Sequence, residues 1–298
     1  MAAPFPADCR YRFEAIGTQW EIDTAAPLPG ALRQRIAARI AAFDRAYSRF
    51  RADSLVAQVA AAPTGGRFTF PPDSPALFAL YDQLHALTGG AVDPLVGRRL
   101  AQLGYASSYS LRPAPGWQTA GPDTISWARD IAHHGPVVCT QRPLLLDVGA
   151  AGKGHLVDSI ASLVQAAGIE AATVDAGGDM RHFGLAPLRV GLEHPRHPDR
   201  VVGVVELHNA ALCASATTRR AWGPGLHHVL DARRGRPTAE VLATWVIAPN
   251  ALTADGLATA LFFVEAEVLQ PHFSFAAVRM LANQMVEVTA NFPGEIFY

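Results

Sequence analysis

Lysine is almost missing from this chain: of its 25 basic residues only Lys153 is a lysine, and the rest are arginine. Cysteine is also sparse. Cys9, Cys139 and Cys213 are scattered with no C-x-x-C pair, which excludes a zinc ribbon and a disulfide framework and fits a reducing compartment, the cytoplasm. No run approaches the roughly 18 apolar residues of a membrane-spanning helix, so no membrane insertion is expected. The N-terminal MAAPFPADCRYRF has neither the apolar core of a signal peptide nor the apolar run that a lipoprotein signal would place before Cys9. A net charge of -1 leaves no basic excess, so nucleic acid is not expected as a partner. What is present is a chain of 298 residues, half of them hydrophobic and 17% charged, long enough for a sizeable core.

The densest chemistry lies between Asp147 and Asp158, DVGAAGKGHLVD. Leu144-Leu145-Leu146 before it reads as a buried strand. Leu156, Ile160, Leu163 and Ala167 after it trace an amphipathic helix closed by Gly168. A glycine-rich turn between strand and helix can bring backbone N–H groups close to a phosphate at the positive helix end. Lys153 puts a compact ammonium between two glycines of that turn. The turn is neither of the common phosphate loops. Registered as a Walker A on Gly152-Lys153, it begins with Asp147 and ends on Gly154, which has no hydroxyl. Nor does GAAGKG have the dinucleotide spacing.

Elsewhere the periodicities alternate between helix and strand. Residues 10–24 read as strand, broken at Gly17-Thr18; Leu32, Ile36, Ile40, Phe43 and Tyr47 form a helix face after Pro29-Gly30. Ser54 to Ala60 adds a short helix, and Ser74-Pro75 starts another with Ser74 as N-cap, ending at Gly89-Gly90. Residues 105–143 are loop-rich. Strands are expected at 171–176, 188–193, 201–207, 227–230 and 243–248, a helix over 253–263, and a closing hairpin in 275–290. The HPRHP between two of those strands reads as a surface turn rather than a metal site. With no regular βαβ rhythm, the fold class is α+β: mixed, largely antiparallel sheets with packed helices.

A second informative run is Thr253 to Ala260, TADGLATA. Asp255 and Thr259, four apart on a helix, share one face, and a carboxylate with a neutral hydroxyl is a hard-oxygen pair that suits magnesium. The bland alternative is a helix-start aspartate beside a packed threonine. His227-His228 precedes an arginine-rich turn, Arg233 to Arg236. These residues suit a general base and an anion clamp, or equally a structural histidine and a solvated turn.

Taken in order, DVGAAGKGHLVD, DAGGDM at Asp175 to Met180, a His-x-x-Asp turn and ADGLAT resemble the FAD:protein FMN transferases, the ApbE family. Ile16-Gly17-Thr18, the segment Ser48 to Ser54 and GGAVDPLVG at Gly89 to Gly97 extend the match. The resemblance implies one ApbE-like, two-lobed domain over 8–298. It implies a Mg²⁺-dependent transfer of FMN from FAD to a threonine of a target flavoprotein, with release of AMP. It places metal ligands on Asp255, Thr259 and the Gly152 carbonyl. Flavin-nucleotide contacts would fall on Ile16, Phe50, Ala91, Val92, Asp93, Gly149, His155 and Leu230. The family base would be His228, with Lys153 near the phosphates. The chain departs from the family pattern at Ala232 and Arg234, where Pro and Thr are usual, and at Ala214-Ser215-Ala216, where Thr-Ser-Gly is usual. Two alternatives stay open: hydrolysis of FAD to FMN and AMP, and FAD binding without turnover.

Overall fold

A computed structural model describes residues 5–118 and 124–297. The start of the N-terminal stretch, the Gly121-Pro122 part of the loop-rich region and Tyr298 lie outside the described residues. The frame is one sheet of eight strands in which spatial order equals chain order and every neighbour is antiparallel: β1 (Tyr11–Ala15), β2 (Thr18–Thr24), β3 (Ala172–Asp175), β4 (Asp179–Phe183), β5 (Ala211–Ala216), β6 (Val241–Ala248), β7 (Ala276–Leu281) and β8 (Val286–Val288). The α+β expectation therefore holds, with the helices inserted between β2 and β3 and between β6 and β7.

The helices used below are α1 (Gly30–Tyr47), α2 (Leu55–Ala61), α3 (Ser74–Leu87), α4 (Gly97–Gln102), α5 (Trp127–Asp130), α6 (Gly152–Ala166) and α7 (Ala251–Ala260). Leu32, Ile36 and Phe43 of α1, Leu156 and Ile160 of α6, and Ala254 and Leu257 of α7 bury against one face of the sheet with Cys213, Val246 and Ala248. The opposite face presents Leu212, Trp245, Ile247, Val278 and Met280 to Leu192, Val202, Val205 and Leu207 of a small sheet built from Leu188–His194, His197–Leu207 and Gly294–Ile296. Strand β6 is buried along its whole length because both of its faces are covered. Among the described residues no helix is long and apolar enough to cross a membrane.

Several local expectations are corrected. Leu144 and Leu146 are buried, but the run belongs to no ladder; it passes over the start of α4, where the Leu145 carbonyl closes on Gly97, and Asp147 N–H donates to the carbonyl of Pro94, in the turn before α4, at 2.7 Å. Ser74 is the first residue of α3, and Asp73 holds the cap position. Ala214 to Ala216, where the chain departs from the family pattern, end strand β5 and pair with residues 243–245. Strand β4, whose side chains alternate less cleanly, was not legible.

Candidate active site

The glycine-rich turn and α7, a hundred residues apart, meet on three rungs. Thr259 Oγ1 donates to the Ala150 carbonyl at 3.2 Å, Gly154 N–H donates to Asp255 Oδ2 at 2.8 Å, and Asp158 accepts from Ala251 N–H at 2.9 Å and Leu252 N–H at 2.8 Å. Residues 150, 154 and 158 run up one strip while 259, 255 and 251 run down the other, one helical turn per rung. A Cβ on Gly154 would lie 2.1 Å from the Ala251 carbonyl oxygen, so only glycine allows this approach. The turn does not spread its N–H groups for a phosphate as the sequence suggested. Gly149 N–H is taken by Asp147 Oδ1 at 2.7 Å, Gly152 N–H by the Val148 carbonyl at 2.7 Å, and Gly154 N–H by Asp255.

Lys153 also has a partner. Its ammonium is ion-paired with Asp179, which is 1% exposed at the start of β4. Asp179 Oδ1 further accepts from Ala214 N–H at 3.2 Å. Burial alone would lower the Lys153 pKa, but the carboxylates of Asp179 and Asp255 outweigh it and raise the value. Asp255 is pushed well above the usual carboxylate range by burial and then by Asp179. Two buried carboxylates share one ammonium, an arrangement that favours an added cation. The donor set fits magnesium: the Asp255 carboxylate, the Thr259 hydroxyl and the Ala150 carbonyl are hard oxygens within one turn of one another. Among the described residues no group of three or more His, Cys, Asp or Glu side chains gathers. The carbonyl that Thr259 reaches is that of Ala150, two residues before Gly152, which opens α6.

On the other side of the turn Asp147 is ion-paired with Arg49, whose Nη1 donates to the Tyr105 carbonyl at 2.6 Å. The guanidinium lies 4.3 Å from the centre of the Phe50 ring, and that ring stacks on Tyr109 at 5.1 Å. Burial raises the Asp147 pKa, yet Arg49, the Gly149 N–H and Arg220 bring it below the ordinary value. His228 is held at about 4 by burial and by the charge of Arg220, so its imidazole is neutral near pH 7, and its Nδ1 is buried without a partner.

The remaining candidates divide. Phe50 and Leu230 share a cluster with Leu100, Leu103, Tyr105 and Trp222. The Ala91 carbonyl accepts from Ala232 N–H at 3.1 Å, which ties Ala91 and Val92 to the 231–235 turn. Ile16 takes a left-handed φ of 45° in the β1–β2 turn, beside Thr18, whose hydroxyl closes on Gly177. Asp93 is different: its two oxygens accept from Leu95 N–H at 2.8 Å and Trp127 N–H at 2.9 Å. His155 lies 3.2 Å from Asp73 with its ring near Phe43 and Tyr47. Arg233 is held by Asp231 and the Thr88 carbonyl, so the arginine turn is a brace more than an open clamp. Arg49, Asp147, Asp179 and Arg220 were missed as site residues. Asp147, Asp179 and Arg49 each stood within a quoted segment, whereas nothing in the local sequence marked Arg220.

Residues 16–274 match the family model described as the ApbE family. A protein of Klebsiella pneumoniae (strain 342) named FAD:protein FMN transferase is 25% identical over 278 residues, which cover 86% of this chain and 79% of that protein. The protein of the same name from Escherichia coli (strain K12) is 24% identical over 85% of this chain and 78% of its own length. Among solved structures, the ApbE protein of Thermotoga maritima superposes with a TM-score of 0.82 at 24% identity, covering 96% of this chain and 99% of that one. The flavin transferase ApbE of Vibrio cholerae gives 0.79 at 23% identity, covering 95% and 97%. At these identities the superpositions show the fold.

Proposed function

The chain belongs to the ApbE family, and from that premise we propose that it transfers FMN from FAD to a threonine hydroxyl of a target flavoprotein, with magnesium, releasing AMP. The observation that carries this reading is the junction of α6 and α7, where Asp255, Thr259 and the Ala150 carbonyl converge beside the Lys153–Asp179 pair. These three groups would hold the metal, which when bound supplies Lewis-acid stabilisation of charge on the diphosphate oxygens. Lys153 offsets Asp179, so the carboxylate of Asp255 meets the cation without a second full negative charge beside it. His228, neutral and with Nδ1 free, accepts the proton of the incoming threonine hydroxyl. The threonine oxygen bonds to the FMN phosphorus, the bridging P–O bond breaks, and AMP leaves with the electron pair. A cytoplasmic setting is part of the reading and rests on three free thiols.

The test is direct. The protein is incubated with FAD, magnesium and an acceptor flavoprotein domain. The expected result is a mass gain of one FMN on an acceptor threonine, with one AMP released per transfer. No gain on any matched acceptor overturns the reading. The substitutions at Ala232 and Arg234, next to His228 in the chain, favour a second reading, in which water replaces threonine. AMP released without acceptor, at a rate that acceptor leaves unchanged, selects that one.

A further inference from the structure

Lys153 is engaged by Asp179, so the cation nearest the metal junction already has its counterion. Positive charge with an unmet donor lies on the other side of Asp147. Arg49 is only 9% exposed; its Nε reaches Asp147, its Nη1 the Tyr105 carbonyl, and its Nη2 is buried with no partner. Buried guanidinium nitrogens rarely stay unsatisfied, and one that shares Tyr105 with an exposed second arginine points to an acceptor that arrives with a ligand. Arg220 supplies a second guanidinium. Its Nη1 lies 3.3 Å from the Tyr105 hydroxyl, its charge acts on Asp147 and His228, and its side chain is exposed at the rim. The charges of two guanidinium groups therefore act on one carboxylate. The rings of Phe50 and Tyr105, 4.3 Å and 4.9 Å from the Arg49 guanidinium, hold its plane and shield it from water.

We propose that Arg49 and Arg220 form an oxyanion subsite for the adenylate phosphate of the bound dinucleotide. The identity of the nucleotide rests on the flavin-transferase reading; the affinity for a phosphate monoester does not. When the threonine oxygen bonds to the FMN phosphorus and the bridging bond breaks, the electron pair leaves on the AMP oxygen. AMP then carries one more negative charge than it did within FAD, and the threonine proton resides on His228. That added charge falls on the arginine side of Asp147, while the FMN phosphate remains at the α6–α7 junction. The two phosphates of FAD thus have separate counterions in this chain.

Isothermal titration of the full-length protein with AMP or inorganic phosphate, without FAD and without metal, tests the subsite independently of turnover. AMP is expected to bind the wild type, and Arg220→Met to weaken it about tenfold. Arg49→Met leaves the half-buried Asp147 without its ion-pair partner, so the paired variant Arg49→Met/Asp147→Asn, checked by its thermal melt, carries that arm; AMP should bind it about 10- to 100-fold more weakly. FMN affinity, measured separately with magnesium present so that its phosphate has the α6–α7 junction to go to, should change less than threefold in either variant. Inorganic phosphate should be displaced by AMP in the wild type and lost in the variants. AMP or phosphate affinity undiminished in both variants, or no AMP binding to the wild type, overturns the proposal. FMN weakened as strongly as AMP overturns the assignment to the adenylate side. AMP binding that depends on the two arginines in a protein that never transfers FMN leaves the subsite standing and removes the transferase reading instead.

Discussion

Two partly buried cation–carboxylate pairs flank the same turn, and they finish with opposite charge. Lys153 meets Asp179 with Asp255 beside them, one ammonium against two carboxylates. Arg49 meets Asp147 with Arg220 beside them, two guanidiniums against one carboxylate. Each pair alone is neutral. The third member, brought from α7 in one case and from the turn after β5 in the other, sets the sign of the site. The side chains suit this division. A lysine ammonium is compact and can sit between two carboxylates, whereas the arginine fork can hold Asp147 and a carbonyl and still offer a donor. On the proposed reading the first side takes a cation and the second an anion.

Breaking the negative side has the largest expected effect. Asp255→Ala removes the only anionic oxygen of the α6–α7 donor set and should reduce FMN transfer by roughly 10²–10³-fold or more, read as the mass gain on acceptor. Transfer at wild-type rate would refute the junction as a metal site. Next is His228→Ala, expected to lower kcat by about 10²–10⁴-fold with FAD affinity little changed. In the wild type at saturating magnesium, kcat/KM should hold as the pH falls from neutral and decline only on approaching about 4, because the imidazole stays neutral down to that value. A decline already centred near the ordinary histidine range would contradict the buried, uncharged state.

Asp158 positions the start of α7 from a full turn away. Asp158→Ala should lower magnesium affinity about 10- to 100-fold, as loss of a supporting carboxylate does elsewhere, and stability by roughly 0.5–2 kcal/mol through the lost helix cap. Titration calorimetry and thermal melts separate the two effects. The smallest effect sharpens the comparison instead of breaking it. The Asp255 carboxyl holds its proton above the usual carboxylate range, so a cation must displace that proton and magnesium binding should strengthen as pH rises. AMP binding on the arginine side should instead follow the second ionisation of its own phosphate, at about pH 6, and level off once AMP is a dianion.

Much of the architecture was legible from periodicity. The β1–β2 hairpin, α1, α6, α7 and the closing hairpin each repeat at the spacing of their own geometry, and that spacing is a local property. Asp255 and Thr259 were legible as one face of a helix for the same reason. The glycines of Asp147 to Asp158 were noticed but misread. They suggested N–H groups bared to a phosphate, whereas Gly154 exists so that α7 can lie against α6. Close approach and phosphate binding both call for glycine, and only the neighbour tells them apart. Leu144 to Leu146 has the composition of a strand without a strand beside it. Arg49 and Arg220 were hidden for a different reason: in a chain whose cations are nearly all arginine, no single arginine stands out.

The sequence by itself determined the family, the α+β class and the helical spacing that sets Asp255 over Thr259, because motif order and periodicity are carried by neighbouring residues. Only the tertiary structure decided what each charge faces. Lys153 is neutralised because the sheet brings Asp179 under the turn, and Asp158 caps a helix that begins 93 residues later. Arg49 keeps an unpaired nitrogen because its carboxylate and carbonyl occupy only part of its fork. Electrostatics depends on distance and burial, and neither exists until segments far apart in the chain have packed together.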